Sequence, residues 1–511
     1  MTVRTGHPLP SLGFILLVSL VVRLLVADLT GFGIDESYAL TVARPFSLSY
    51  FDHPPLHFWI AGAMTEMSRG TNPLLVRLPF VLLFTLTLWA IASLTTYLFT
   101  ERAGRFAAGA LALSGVLGVT TGTWVLPDGP LVAATSVGAL LMAPMLVVRA
   151  PTGLTRASHS VEQWWRWPSV GVAFGLALLS KYHAVLIACG VLLFVLTTSD
   201  GRRVLRTRGP WRAVAIATLA LVPIVWWNAT HQWVSFAFQG ARAVPQRVAL
   251  APFAENVAGQ ILWLLPWIAV PLCIALWQAL RVGPTDIARW YCVCLAVVPI
   301  TLFTLVTLGG ARGLPHWQAP GWLFVFPLLG AWADAATSRR SAWPVRWMRS
   351  SVIATSVVVL VLLAQMRWGI VDALLSDRAR ASEPTRDTVS WDGAVRRLDA
   401  LGRFAATPPV LLTRNWMQAG QLGVALGVRR ARVVCLCSDS RHLAWRDMSE
   451  RAWTRAVLVE RLRPDLKEWN PASIALVSDS LRITALDTIN IGHGVQLAMY
   501  DVVKIARDGT R

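Results

Sequence analysis

The sequence predicts a polytopic bundle of membrane-spanning α-helices followed by a small α/β domain, and three observations carry that prediction. Of the 511 residues, 55% are hydrophobic and only 15% are charged, where a soluble chain carries roughly 25% charged residues. Mean hydropathy is +0.53, and long apolar windows recur as far as residue 370 and then stop. The formal net charge of +19 sits in short arginine clusters between those windows. They are Arg102 and Arg105; Arg202, Arg203, Arg206, Arg208 and Arg212; and Arg339, Arg340, Arg346 and Arg349. Basic residues gathered in short loops follow the positive-inside rule. With no stacking-aromatic motif and no single basic face, the charge argues for a membrane and against nucleic acid as partner.

Taken in order, the first window at 10–28 follows Arg4 and could pass for a secretory leader. No small-x-small cleavage site follows it, so it reads as an uncleaved anchor. An acidic cluster comes next, Gly33-Ile-Asp-Glu-Ser-Tyr38, with a short helix expected from Glu36 to about Arg44. Then comes Tyr50-Phe-Asp-His-Pro-Pro-Leu56, where Pro55 suits the first turn of a second helix over Leu56 to Met67.

Further apolar windows fall at 75–98, 106–124, 129–148, 168–181, 183–198, 213–228, 260–280, 290–308, 319–336 and 350–370. A crossing helix needs about 17–25 residues, and the pair at 168–198 is broken at Ser180-Lys-Tyr-His183. About eleven crossings from a cytoplasmic start place the arginine clusters inside. They place Asp35, Asp128, Lys181 and the loops 229–259 and 309–318 outside.

The membrane domain is assigned to 1–370 and a soluble domain to 371–511. In the latter, strand-like runs at Val410–Thr413, Arg432–Leu436, Ile474–Val477 and Val495–Val503 accompany a helical pattern from Trp416 to Leu426, the alternation of an α/β fold. The odd crossing number puts this domain outside the cell membrane. Four of the six cysteines lie in apolar windows. Cys435 and Cys437 share a strand-like run, and neither a disulfide nor a zinc site is expected of them.

Ionisable residues at a membrane boundary are costly to keep unpaired, and the external ends collect several. Asp35 either caps its helix or accepts a proton from a hydroxyl group as general base, with Glu36 beside it. His53 stands at a helix start, where bare N–H groups favour an anion, or merely in a two-proline turn. Asp52 would orient the ring or meet a substrate. Asp128, within Leu126-Pro-Asp-Gly-Pro130, is a turn residue or a second functional acid. Lys181 snorkels to headgroups or neutralises a phosphate. Arg242, Arg247, Arg312 and His316 offer donors for phosphate oxygens or for ordinary lipid headgroups. Interfacial anchoring suits Trp317 and its neighbours, with sugar stacking as the alternative.

Asp-Glu-x-Tyr38 followed by Tyr-Phe-Asp-His-Pro-Pro-Leu56 resembles the signature of bacterial family 39-type glycosyltransferases of the GT-C fold, the superfamily of protein O-mannosyltransferases and aminoarabinose transferases. Similar echoes follow at Val76-Arg-Leu-Pro79, Leu126–Pro130, Leu179-Ser-Lys-Tyr182, Trp226-Trp-Asn228 and Pro315–Pro320. The resemblance covers roughly residues 30–330. It implies transfer of a sugar from a polyprenyl-phosphate donor to a hydroxyl of lipid A or lipopolysaccharide, a glycan or a protein, at the outer face of a bacterial inner membrane. Asp35 would be the catalytic carboxylate, with Glu36 and Asp128 as further catalytic acids. His53, Lys181, Arg242, Arg247 and Arg312 would hold the donor phosphate. Asp52, Tyr38, His316 and Trp317 would meet substrate. No cofactor is required by the sequence, no metal ligands are assigned, and a divalent ion fits because some relatives bind one. A transporter of a lipid-linked glycan is the alternative.

Overall fold

The computed structural model describes residues 9–69, 72–147, 165–242, 247–311, 313–376, 379–380, 383–404, 409–427, 429, 431–436, 453–462 and 481–504. It divides into two compact units that do not part at a single point of the chain. The first holds Met1–Leu25, Leu48–His57 and Arg77–Val357; the second holds Val26–Ser47, Phe58–Val76 and Val358–Arg511.

The helices in chain order are α1 (Leu12–Leu29), α2 (Ile34–Val42), α3 (Leu56–Met67), α4 (Pro73–Leu98), α5 (Glu101–Leu113), α6 (Asp128–Leu146), α7 (Arg166–Ser180), α8 (Ala184–Thr197) and α9 (Ser199–Val204). They continue with α10 (Arg208–Leu219), α11 (Val222–Thr230), α12 (Val234–Ala241), α13 (Leu250–Leu264), α14 (Pro266–Val282), α15 (Ile287–Leu308), α16 (Ala319–Leu323), α17 (Phe326–Ser338) and α18 (Trp343–Trp368).

In the first unit α6 packs on α7, α7 on α10, α8 on α15, and α5 on α17. Its core gathers Phe84, Leu117, Ile187, Phe194, Tyr291 and Phe326, all sealed from solvent. Other faces are apolar and open: Phe14, Leu17, Ile353 and Val357 each expose more than half of their surface. Such faces are stable only against lipid. This is a multi-pass membrane protein.

Each of the eleven apolar windows contains helix, but fewer than eleven helices have spanning length. Among the described residues seven are long and apolar enough to cross a bilayer, or eight if α5 and the π-helical Gly115–Thr121, bent by 65°, count as one span. The shortfall has local causes. Lys181 breaks the run that makes α7 and α8, which have 15 and 14 residues. The window at 319–336 is divided at Phe324 and Val325 between α16 and α17.

Arg23 carries a charge deep in the bundle. Arg23 of α1 donates from Nε to the Gly118 carbonyl (2.8 Å), from a terminal nitrogen to Ala112 O (2.9 Å), and to Ser19 Oγ (2.6 Å). These bonds tie α1 to the bent segment that follows α5.

The second unit carries a five-stranded sheet in the order β2-β1-β3-β5-β4. Its strands are β1 (Val410–Thr413), β2 (Arg432–Cys435), β3 (Arg455–Arg461), β4 (Leu481–Asn490) and β5 (Gln496–Lys504). β1 runs parallel to β2 and β3, and β5 lies antiparallel between β3 and β4. Val410, Leu412, Val434, Leu458, Tyr500 and Val502 form its core. β1, β2, β5 and the helix Trp416–Ala425 match the runs read from sequence. β3 and β4 had no reading, and the run at 474–477 lies outside the described residues. Cys435 is disulfide-bonded, against expectation. That expectation assumed extended backbone through residue 437, whereas β2 ends at Cys435; Cys437 lies outside the described residues.

Candidate functional site: a buried ion pair ringed by histidines

The break between α7 and α8 positions the centre of the site. α7 ends at Ser180, and Lys181 leaves the helix with extended backbone (φ −157°, ψ 140°). Its Nζ donates to both carboxylate oxygens of Asp128, at 2.9 and 2.8 Å. Asp128 is the first residue of α6, placed there by the Pro127 turn. Both side chains are almost fully covered, 5% and 9% exposed. A pair this dry persists only when each charge is satisfied by the other.

Imidazoles surround the pair. His53 precedes α3, and its ring centroid lies 5.7 Å from that of His57 in the first turn of the helix. His183, two residues after Lys181, sits 4.5 Å from the Phe303 ring and 6.2 Å from Trp317. Arg242, just past α12, lays its guanidinium 4.8 Å over the Trp317 ring and 5.4 Å from Phe238. His316 lies beside Trp263, 5.7 Å between centroids. Nδ1 of His53 and Nδ1 of His183 are buried with no hydrogen-bond partner among the described residues.

The electrostatics follow from burial among cations. Burial, then His57, Lys181, His183 and Arg242, hold His53 well below its ordinary value. Burial with Lys181, His316 and Arg242 does the same to His183. His316 is lowered to about 4 by burial and Lys181, with Asp128 opposing. His57 falls to about 3 through burial, although Asp128 and a hydrogen bond to the Pro54 backbone oppose the shift. All four rings are therefore neutral near pH 7, ready to donate or accept one proton each.

A second group of side chains adjoins these. Tyr182 shares a 2.7 Å hydrogen bond with Ser235 Oγ. Asp52 acts electrostatically on Tyr182, and the Asp52 carbonyl accepts from Gln239 Nε2. Between α13 and α16 runs a buried amide chain. Gln318 Nε2 and Gln260 Nε2 both donate to Asn256 Oδ1 (2.7 and 2.9 Å), and Trp322 Nε1 donates to Gln260 Oε1 (2.9 Å).

Of the residues named from sequence, Asp128, Lys181, His53, Arg242, His316 and Trp317 come together here, with Asp52 alongside through Tyr182. Arg247 does not join them; it is exposed, with its backbone carbonyl against Gly310. Arg312 lies outside the described residues. Asp35, Glu36 and Tyr38 belong to the second unit. There Asp35 is exposed in the first turn of α2, while the Glu36 carboxylate accepts the Gly33 N–H at 2.9 Å and closes the helix start. Tyr38 is 4% exposed, its ring edge-on to Trp416 at 5.2 Å.

Sequence reasoning passed over His57, His183 and the amide chain. His57 and His183 stand four and two residues from groups already singled out, which was the available signal. Of the amides, Gln260 opens an apolar window while Asn256 and Gln318 stand in the loops just before such windows, and only packing could join them. Among the described residues no group of three or more His, Cys, Asp or Glu is arranged to hold a metal.

Comparison with known proteins bears on this geometry. The model of a family described as dolichyl-phosphate-mannose-protein mannosyltransferase matches residues 52–227, the stretch from Asp52 through Asp128 and Lys181. The chain is 26% identical over 205 residues to the lipid A galacturonosyltransferase RgtD of Rhizobium johnstonii, a match spanning 40% of each protein. Among solved structures it superposes on ArnT from Cupriavidus metallidurans bound to undecaprenyl phosphate with a TM-score of 0.65, at 16% identity, over 98% of this chain and 99% of that one. The apo form of the same protein gives 0.64 at 15% identity, over 96% and 97%. At such identities the likeness concerns architecture: the fold is the GT-C fold.

Proposed function

We propose that this chain is an integral-membrane glycosyltransferase that moves a sugar from a polyprenyl-phosphate donor to a hydroxyl acceptor at the outer face of a bacterial inner membrane. The observation that carries the reading is the Lys181–Asp128 pair inside its ring of imidazoles and Arg242, built at breaks between apolar helices. Cationic and N–H donors at the heads of lipid-facing helices suit an anion that trails a hydrocarbon chain. A prenyl phosphate is such an anion. ArnT was solved with one, and the matching family is named for another. The sequence carries no P-loop or glycine-rich fingerprint for a nucleotide donor.

In the reaction, the acceptor oxygen attacks the sugar C1 opposite the phosphate. The C1–O bond breaks, its electron pair stays on the phosphate, and the configuration at C1 inverts. Asp35 takes the hydroxyl proton as general base. Lys181, His53 and Arg242 stabilise the charge growing on the leaving phosphate, and such preorganised electrostatics supply the largest catalytic term in many enzymes. Asp128 fixes the Lys181 ammonium in place by gripping it with both oxygens. Glu36, occupied at the start of α2, holds the segment that carries Asp35. The named relative acts on lipid A, which makes lipid A or lipopolysaccharide the first acceptor to test, ahead of other glycans and exported proteins. The arginine-rich loops, held inside by the positive-inside rule, would put the site on the outer face.

Mass spectrometry of glycolipids and exported proteins, from cells with and without the chain, identifies the acceptor. Asp35→Asn is expected to abolish the modification while the protein still accumulates, folded, in membranes. Near-normal transfer by that variant would remove Asp35 from the mechanism.

A further inference from the structure

The ion pair leaves a question of charge. Lys181 is already matched by Asp128 within the fold, at 2.9 and 2.8 Å to its two oxygens. An anion arriving beside it must therefore draw positive charge from other neighbours. His53 and His183 are suited to supply it. Each residue is half-buried, each Nδ1 is buried without a hydrogen-bond partner among the described residues, and each has Lys181 and Arg242 among its neighbours.

Around His53 stand His57 from α3, Lys181 and His183 from the α7–α8 break, and Arg242 from the end of α12. Around His183 stand Lys181, Arg242 and, from the segment before α16, His316. Asp128 acts on His57 and His316, while Asp52 acts on Tyr182. Neither carboxylate is among the charges acting on His53 or His183. A phosphate placed among these groups reverses the local field, and the ring that was costly to charge becomes the cheapest place to put a proton.

We propose that His53 and His183 are proton-accepting walls of the phosphate seat, one of them taking up a proton when a prenyl phosphate lies between them and Lys181. The proposal rests on the donor class given above. Its chemical consequence is discrimination between donor and product. The donor is a phosphodiester with one negative charge. Transfer breaks the C1–O bond and leaves a monoester with two, while the acceptor gives up one proton. The proton that Asp35 takes from the acceptor is matched by one taken up at the seat, so the step needs no further reactant, and the product dianion faces one imidazolium together with Arg242.

Calorimetric titration of the purified full-length protein tests this, using farnesyl phosphate as the monoester and its methyl ester as the diester. Each is titrated near pH 7.5 in two buffers of different ionisation heat, whose difference reads protons bound. The monoester is expected to bind with net proton uptake, and the diester with less or none. His53→Gln/His183→Gln is expected to bind the monoester more weakly with that uptake lost. Monoester binding without buffer dependence, or uptake unchanged in the double variant, would overturn the proposal and leave the donor class standing. Failure of both esters to bind would instead reject the donor class, and the seat with it. If the double variant does not fold, imidazole nitrogen shifts of the native protein decide: two rings unmoved by farnesyl phosphate would equally sink the idea.

Discussion

At the level of single residues, the account depends on Lys181 and Asp128 neutralising each other out of water. Removing one partner strands the other, at a cost of about 3–5 kcal/mol in comparable buried pairs. Lys181→Ala should accordingly lower thermal stability in detergent, and Lys181→Met with Asp128→Leu should recover much of it while remaining unable to bind donor. Donor affinity is expected to fall more than acceptor affinity in Lys181→Ala and in His53→Ala. Donor affinity unchanged from the native protein in both variants would reject the phosphate assignment.

The histidines add a pH dependence with a definite sign. His316 and His57 have folded values of about 4 and about 3, below the ordinary 6.5. Below 6.5 the unfolded chain binds protons that the folded one refuses, so stability is complete above 6.5 and declines as pH falls toward 4. His316→Gln should flatten that decline in a melting series across this range; an unaltered slope would show that His316 is not held neutral.

At the level of elements, two close approaches make testable demands. In the first unit a Cβ on Gly122 would stand 2.8 Å from Arg23 Nε and 2.5 Å from the Gly118 carbonyl. In the second, a Cβ on Gly420 would stand 2.6 Å from the Tyr38 backbone nitrogen, where α2 packs on the helix Trp416–Ala425. Backbone cannot yield as a flexible side chain does, so Gly420→Ala should cost about 1–3 kcal/mol, in the range of overpacked cores. Trp416, edge-on to Tyr38, reports the shift through its fluorescence. A spectrum and melting point like those of the native chain would mean that α2 is free to move away.

Individual elements differ in how legible they were. The helix at Leu56–Met67 was legible because Pro54 and Pro55 mark its start. The α7–α8 break was legible because Lys181 cannot sit mid-span cheaply. Spanning length was not, since apolar composition alone cannot reveal that Phe324 and Val325 interrupt the helix at 319–336. β3 and β4 were missed because Arg455–Arg461 is flanked by charge and β4 is half-exposed along its length, which blurs the two-residue alternation. The disulfide at Cys435 needed the end of β2, which spacing does not disclose.

At the scale of the whole molecule, the site's chemistry was readable in type but not in membership. Loop-end acids and bases drew attention to a charged centre, whereas the burial of His57 and His183 beside Lys181 is visible only in the folded chain. Sidedness is the main expectation still to be measured. Single cysteines introduced at exposed Arg247 and at Arg206 should react with an impermeant maleimide in the first case only, on intact spheroplasts. The reverse pattern would turn the proposed active face toward the cytoplasm.

The most direct measurement supplies purified protein with undecaprenyl-phosphate-linked galacturonic acid, aminoarabinose and mannose, in the presence of lipid A, and follows undecaprenyl phosphate by mass spectrometry. The account predicts release of undecaprenyl phosphate from at least one donor, with one sugar gained by the acceptor, and neither product from Asp35→Asn. Folded native protein that leaves every donor intact, or moves one across a vesicle bilayer uncleaved, would contradict it.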